Sequence, residues 1–349
     1  MTETLPSEMA WSIDPDAFPF NGSAREQLAF LVRYAVLAPS GHNTQPWRFL
    51  VSDTRVDVVA DMGRALRMVD PNDREMTMSC AAAAETLLAA LRAFGLTGTL
   101  MPQPLPPVPD VIARITLLPA PRADAIDYAM LNAIATRRTV RRAYADAPVP
   151  EELQALMRET ARPFGVELSL FEDAAMRDAV AELVVDADRA QFADPRFRDE
   201  LASWMHPLTS PAGDGLAGPG FGFPDWATRV AAALMRTFDL GSAVARMDKP
   251  NVLGAPLLGV FSTHGDTRGE WIATGRALAA VLHTLTMHGL VNAFLNQPVE
   301  VTGIRPQLAQ LSAPGRTPQL LSRFGYLKEG IAMPPHAARR PLDEVLIAA

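Results

Sequence analysis

Apolar positions recur with helical spacing over residues 24–37, where Leu28, Leu31, Val32, Ala35 and Val36 share one face. Two strand-like runs follow at 47–51 and 56–59. Residues 80–94 are alanine and leucine on nearly every face, the pattern of a central, buried helix, and Gly95 is placed to cap it. A proline-rich run at 102–109 leads to a strand expected at 111–118. A helix is expected at 124–136, and another at 150–160 with Pro150 at its start and acids in its first turn. Strands are expected at 166–171, 257–263, 291–295 and 320–326, and a helix at 275–287. Residues 194–250 break the pattern: glycine, proline and aromatic residues surround one helix near 226–238. Residues 1–22 read as an irregular arm with scattered aromatics.

The pattern repeats. Residues 80–96 and 274–290 share one plan: small residues, a helix with leucines on one side, then Gly-Leu and a strand. Each half also sets a helix with acidic early residues before a strand, at 26–51 and 151–171. The halves differ at two places. Residues 38–47, Ala-Pro-Ser-Gly-His-Asn-Thr-Gln-Pro-Trp, shrink in the second half to Arg162-Pro163-Phe164-Gly165. Arg137-Arg138-Thr139-Val140-Arg141-Arg142 has no counterpart before the first helix, where Gly22-Ser23-Ala24-Arg25 stands. Each half keeps one piece, and together the two could make one site.

Composition narrows the class. With 48% hydrophobic and 20% charged residues, the 349-residue chain is globular and long enough for two domains or one large one. A net charge of −7 argues against nucleic acid as a general partner. The single cysteine, Cys80, excludes an internal disulfide and fits a reducing compartment. The first twenty residues lack a basic start followed by an apolar run, and no uninterrupted apolar run is membrane-length. A soluble, cytoplasmic protein is expected.

Four arginines within six residues repel one another unless an anion sits among them; the alternative is a solvated basic turn paired with acids such as Asp146 and Glu151. The 38–47 loop, stiffened by two prolines, is either an ordinary helix-to-strand connection or a backbone surface that approaches a ligand at Gly41. Asn296-Gln297-Pro298 could bond the edge of a heterocycle or make an ordinary turn. Arg339-Arg340 is a second basic pair, or plain surface. Gly213-x-Gly215-x-x-Gly218 spells a dinucleotide fingerprint but lacks the preceding strand, and is discounted. No two of the six histidines stand at i,i+4, so zinc is not expected. Cys80 among alanines reads as a core residue.

These residues resemble a known family. Pro39-Ser40-Gly41-x-Asn43-x-Gln45-Pro46-Trp47 is similar to the proline-serine loop of nitroreductase-type flavoproteins, and Arg137-Arg138-Thr139-Val140-Arg141 resembles their arginine signature. Ordinary members carry the arginine signature first, and the two motifs meet across a homodimer interface to bind FMN. The reversed order here resembles the Acg-type subgroup, as do Asp70-Pro71-x-x-Arg74-Glu75, Phe294-Leu295-Asn296-Gln297-Pro298 and Arg339-Arg340-Pro341-Leu342. The resemblance implies an α+β fold of antiparallel sheets flanked by helices, duplicated so that one chain imitates the family dimer. Its parts would be an arm (1–22), a first half (23–123) and a second half (124–349) with a lid-like insertion at about 194–250.

The resemblance further implies that Arg137, Arg138, Thr139 and Arg141 hold the FMN phosphate and ribityl chain, completed by Arg339 or Arg340. Pro39, Ser40, Gly41 and Asn43 would approach from the other half, and the turn Asn296, Gln297, Pro298 would offer a backbone N–H to the flavin. Trp204, Phe221, Phe223 and Trp226 would cover the ring. The implied activity is two-electron transfer from NADH or NADPH to a small-molecule acceptor with restricted access; the alternative is a protein that stores or sequesters FMN. A monomeric pseudo-dimer or a weak homodimer is expected.

Overall fold

The computed structural model describes residues 9–104, 108–120 and 125–347. The expected boundary at 123/124, the helix start at Asp124 and part of the proline-rich run therefore lie outside the described residues, as do residues 1–8 of the arm. Helix α1 (Ala24–Ala35) opens on a capping box, in which Ser23 and Glu26 satisfy each other's backbone N–H. Strands β1 (Trp47–Val51) and β2 (Arg55–Ala60) form a hairpin, followed by α2 (Arg74–Ala93), β3 (Gly98–Pro102) and β4 (Val111–Leu117). Helix α2 begins six residues before the apolar run does. The Asp70 carboxylate accepts from the N–H groups of Arg74 (2.8 Å) and Met76 (2.9 Å), so a polar first turn can precede the alanines.

Helices α3 (Tyr128–Thr136) and α4 (Glu151–Ala161) lead into β5 (Glu167–Phe171). Between β5 and β6 (Leu257–Thr263) lie four helices: α5 (Ala174–Ala193), α6 (Pro195–Ser203), α7 (Ala227–Thr237) and α8 (Gly241–Leu253). The irregular stretch around residues 204–226 lies within this span, and α8 carries Pro250 in its last turn. The chain continues through α9 (Arg268–Met287), β7 (Val291–Phe294), a helical turn (Gln297–Glu300), α10 (Arg305–Ser312) and β8 (Thr317–Gly325). A last turn (Leu342–Val345) precedes β9 (Leu346–Ile347).

The two sheets share one topology. The first runs β3-β4-β2-β1-β9 and the second β5-β6-β8-β7. Counted from the start of each half, both have the order third, fourth, second, first, with every one of these pairs antiparallel. The irregularity recurs as well: the register of β2 on β4 slips between Val58 and Val59, and that of β6 on β8 between Phe261 and Ser262. The four helices occupy the place of the Ser52–Thr54 turn between β1 and β2. Strand β9 crosses back to pair in parallel with β1, so the end of the chain completes the sheet near its beginning.

Helices α2 and α9, equivalent in the two halves, pack along each other at the centre. Their approach requires glycine: a Cβ at Gly275 would lie 2.1 Å from the Met78 carbonyl oxygen. The second sheet is buried on both faces. Leu257 and Phe261 of β6 face the α4–α9 side, while Leu258 and Val260 face α5 and α8, which explains why β6 reads as an unbroken apolar run.

Candidate functional site

The 38–47 loop and the arginine segment meet. Residues 137–142 run extended along the second sheet, where Thr139 pairs in parallel with Asn292 and Val140 N–H donates to Asn292 O (2.7 Å). Arg323 of β8, 2% exposed, gathers the carbonyls of Val140 (3.4 Å) and Arg142 (3.1 Å) and lies over the Tyr144 ring. Opposite stands the turn at 41–43. His42, Asn43 and Gln45 all have left-handed φ (48°, 54°, 49°), a conformation that non-glycine residues hold only when their surroundings enforce it.

Three attachments enforce it. Ser40 Oγ accepts from Gln45 N–H (2.9 Å). Asn43 Nδ2 donates to Gly215 O and Ala338 O, both at 3.1 Å. Gln45 Nε2 donates to Gly213 O (2.8 Å), and its Oε1 accepts from Arg340 N–H (2.9 Å). The loop is thus clamped between the insertion and the C-terminal segment. The spacing of Gly213, Gly215 and Gly218 acquires a reason here other than dinucleotide binding. A Cβ at Gly213 would stand 2.8 Å from Arg339 O, one at Gly215 2.4 Å from Trp204 O, and one at Gly218 2.5 Å from the Phe223 ring.

Between loop and arginine segment lie two adjoining compartments, of about 100 Å³ and about 330 Å³. The smaller is basic. Arg137, Arg138, Thr139 and Arg141 line it with Pro39, Ser40, Asn43 and Arg339. Arg339 Nη2 donates to Leu37 O (3.1 Å) and Ala38 O (3.2 Å), its Nη1 to Asn43 Oδ1 (2.9 Å), and its guanidinium lies over the Trp11 ring. Arg138 Nη1 donates to Pro334 O (2.9 Å), and its Nη2 lies 2.7 Å from His336 Nε2. Burial and then the Arg138 charge push His336 down to about 3, so the imidazole is neutral and accepts. Burial lowers Arg137 to about 10, and burial followed by the neighbouring Arg137 lowers Arg339 further.

Among the described residues no carboxylate pairs with Arg137 or Arg339, and two buried guanidinium atoms, Arg137 Nη1 and Arg339 Nε, have no partner. Buried cations with open donors are the signature of an anion site.

No family model matches the chain. It is 30% identical over 317 residues to the Acg protein of Mycobacterium tuberculosis, provisionally named an NAD(P)H nitroreductase, covering 90% of this chain and 93% of that one. Rv3131 of the same organism, named in the same way, is 30% identical over 324 residues, with 92% and 91% covered. The chain belongs to the Acg-type nitroreductase family. Among solved structures, the FMN-dependent nitroreductase NfnB of Mycobacterium smegmatis, in complex with NADPH, is 18% identical. That likeness covers 63% of this chain and 98% of that chain, with a TM-score of 0.42.

The larger compartment of this Acg-type chain is mostly apolar and is walled by Pro39, Ser40, Gly41, Arg141, Asn296 and Gln297 among the expected residues. Two expected residues are placed elsewhere. Arg340 is buried with its guanidinium on Gln45 O (3.3 Å) and Glu344 O (3.3 Å), so it fastens the loop and does not face the cavity. Pro298 is buried in the turn Gln297–Glu300, behind the wall. Of the four aromatics, Phe221 and Phe223 line the compartment, and Phe221 lies under Arg141 with the guanidinium 4.7 Å from the ring. Trp226 is 75% exposed, and Trp204 packs against Arg64 on the outer side.

Sequence reasoning missed the acids of this compartment. Glu75 and Glu300 are buried together; burial, reinforced by its partner, drives Glu75 well above the usual carboxylate range, and burial carries Glu300 to about 6. Asn296 Nδ2 donates to Glu75 Oε1 (3.2 Å), and Gln191 Nε2 to Glu300 Oε2 (2.6 Å). Asp188, raised to about 7 by burial and then by Asp248, faces Gln297. Glu75 stood inside the quoted Asp70–Glu75 motif, whereas Asp188 and Asp248 lie in helices whose polar residues look solvated in sequence.

Proposed function

We propose that this chain binds one FMN and works as a nitroreductase-type oxidoreductase with restricted access, passing two electrons from NADH or NADPH to a small acceptor. The observation that carries the reading is the buried arginine cluster, in which no carboxylate among the described residues pairs with Arg137 or Arg339 and the one acid in its lining, Asp214, is taken up by Arg64 and His206; open donors remain at Arg137 Nη1 and Arg339 Nε, beside a ring-sized apolar cavity. The donor set suits a phosphate monoester: Arg137, Arg138 and Arg339 offer charge-assisted bonds and Thr139 a hydroxyl. At about 1.5–3 kcal/mol each, three or four such bonds support affinity near 1 μM, which needs about 8 kcal/mol. FMN, when bound, supplies the electron chemistry. The chain's residues hold its phosphate, clamp the proline-serine loop against its ring and keep water out with Phe221 and Phe223.

The halves at 23–123 and 124–349, the lid role of residues 194–250, a monomeric pseudo-dimer and a cytoplasmic location belong to the same proposal. Among the described residues no helix is long and apolar enough to cross a membrane.

An absorption spectrum of the purified chain tests the reading. One FMN per chain is expected; a colourless protein that takes up no added FMN overturns it. A second reading, FMN storage, is favoured by one observation: residues 213–215 are bonded to Asn43 and Gln45, and Asp214 is paired with Arg64 and His206, which ties the insertion to the loop beside the cavity. Anaerobic NADPH or NADH that bleaches the flavin supports the oxidoreductase. A flavin that light reduces and neither nucleotide does supports storage.

A further inference from the structure

One pole of the larger compartment carries unmet hydrogen-bonding groups that the phosphate end does not explain. The Gln297 side chain spends both amide hydrogens on carboxylates, Asp188 Oδ1 at 3.1 Å and Asp248 Oδ2 at 3.2 Å. This fixes the sense of the amide, because the flipped form would aim its oxygen at two carboxylates. Gln297 Oε1 is left buried without a partner, and so is Asp188 Oδ2 on a residue only 1% exposed. Both residues line the compartment. Arg141 lines the same compartment; it makes no ion pair among the described residues, and Asp248 is the acid whose charge acts on it. With Asp188 ionised, the pole therefore presents two buried acceptors that lack an N–H, beside the Arg141 guanidinium, which can donate to a carbonyl.

A nitro compound or a quinone brings acceptors only and would leave Gln297 Oε1 unmet. An imide edge, N–H flanked by carbonyls, matches the pole. The oxidised isoalloxazine ring has a single N–H, at N3, between the C2 and C4 carbonyls; its dimethylbenzene end has none. Building on the proposed FMN site, we infer that the pyrimidine edge of the flavin docks at this pole. The N3–H is shared by Asp188 Oδ2 and Gln297 Oε1, and Arg141 meets a flanking carbonyl. Asp188 and Asp248 are then cofactor-positioning residues, and the dimethylbenzene end points away from the α5–α8 side.

The test uses the full-length chain stripped of flavin and titrated with FMN or with 3-methyl-FMN, binding being read from quenching of flavin fluorescence. The methyl group removes the only N–H and keeps both carbonyls and the phosphate. At least tenfold weaker binding of 3-methyl-FMN is expected, with the preference shrinking below threefold in Asp188→Leu, which replaces a buried unpaired carboxylate with an apolar group of similar size. Equal affinity of the two flavins for the unaltered chain overturns the inference while leaving the FMN site standing. A tenfold preference that persists in Asp188→Leu overturns the assignment to Asp188. Failure of FMN itself to bind overturns the underlying reading instead.

Discussion

The contact between α2 and α9 gives a prediction whose sign can be worked out. In a helix interior, Gly→Ala normally stabilises by about 1 kcal/mol through backbone entropy and propensity. At Gly275 the new Cβ would stand 2.1 Å from Met78 O and 2.8 Å from Met78 C, both backbone atoms that no rotamer change can move. Restoring a tolerable contact requires the two central helices to part by about 1 Å, an overpacking cost of about 1–3 kcal/mol or more. Steric cost wins, and Gly275→Ala should lose about 2 kcal/mol. Met78 and Leu278 both wall the larger compartment, so ligand binding there should weaken as well. The control is Gly269→Ala near the start of the same helix, where the added Cβ meets only Thr267 Oγ1 at 3.9 Å. Urea unfolding of the three proteins decides it. A Gly275→Ala chain as stable as the parent would refute the argument that this glycine sets the spacing of the halves.

Asp188→Asn should change how stability depends on pH. The folded carboxyl, raised from 3.8 to about 7, holds its proton more tightly than the unfolded one, so the parent loses stability as pH rises from about 4 to about 7 and then levels off. The flavin-free variant should match the parent near pH 4 and exceed it at pH 8 by up to about 4 kcal/mol; a gap that stays constant from pH 5 to 8 in urea titrations contradicts this. Asp214→Asn should loosen the clamp that Arg64 and His206 make on the insertion. A loss of about 1–2 kcal/mol there would speed flavin release roughly five- to thirtyfold, measured as recovery of flavin fluorescence on dilution; an unchanged rate argues against the clamp.

The parts of the site legible in the sequence were those whose chemistry is local. Four arginines in six residues are hard to explain without an anion, and a ten-residue loop of amide and hydroxyl side chains between a helix and a strand is conspicuous. The strands of the second sheet were legible because burial on both faces leaves continuous apolar runs. Contacts between distant segments hid the rest. Helix α5 carries acids on several faces, and only the structure shows that Asp188 turns inward. Arg323 looks like a polar position on a half-exposed strand, yet it anchors the arginine segment. Strand β9 is two residues long and exists because β1 offers it an edge. Of the four aromatics expected over the ring, Phe221 and Phe223 line the larger compartment, whereas Trp204 and Trp226 lie on the outer side of the insertion.

The clamp on the 38–47 loop has a consequence for how the molecule comes into being. Asn43 and Gln45 are held by residues 213–215 and 338–340, and β1 receives its parallel neighbour only from residues 346–347. The left-handed turn at 42–45 thus lacks its supports until residues 338–340 have been synthesised. A nascent chain can assemble strands β1–β4 of the first sheet early and still have no pocket. Loss of the final fifteen residues or so would remove Arg339 and β9 together, leaving a protein with most of its core and no place to load a ligand.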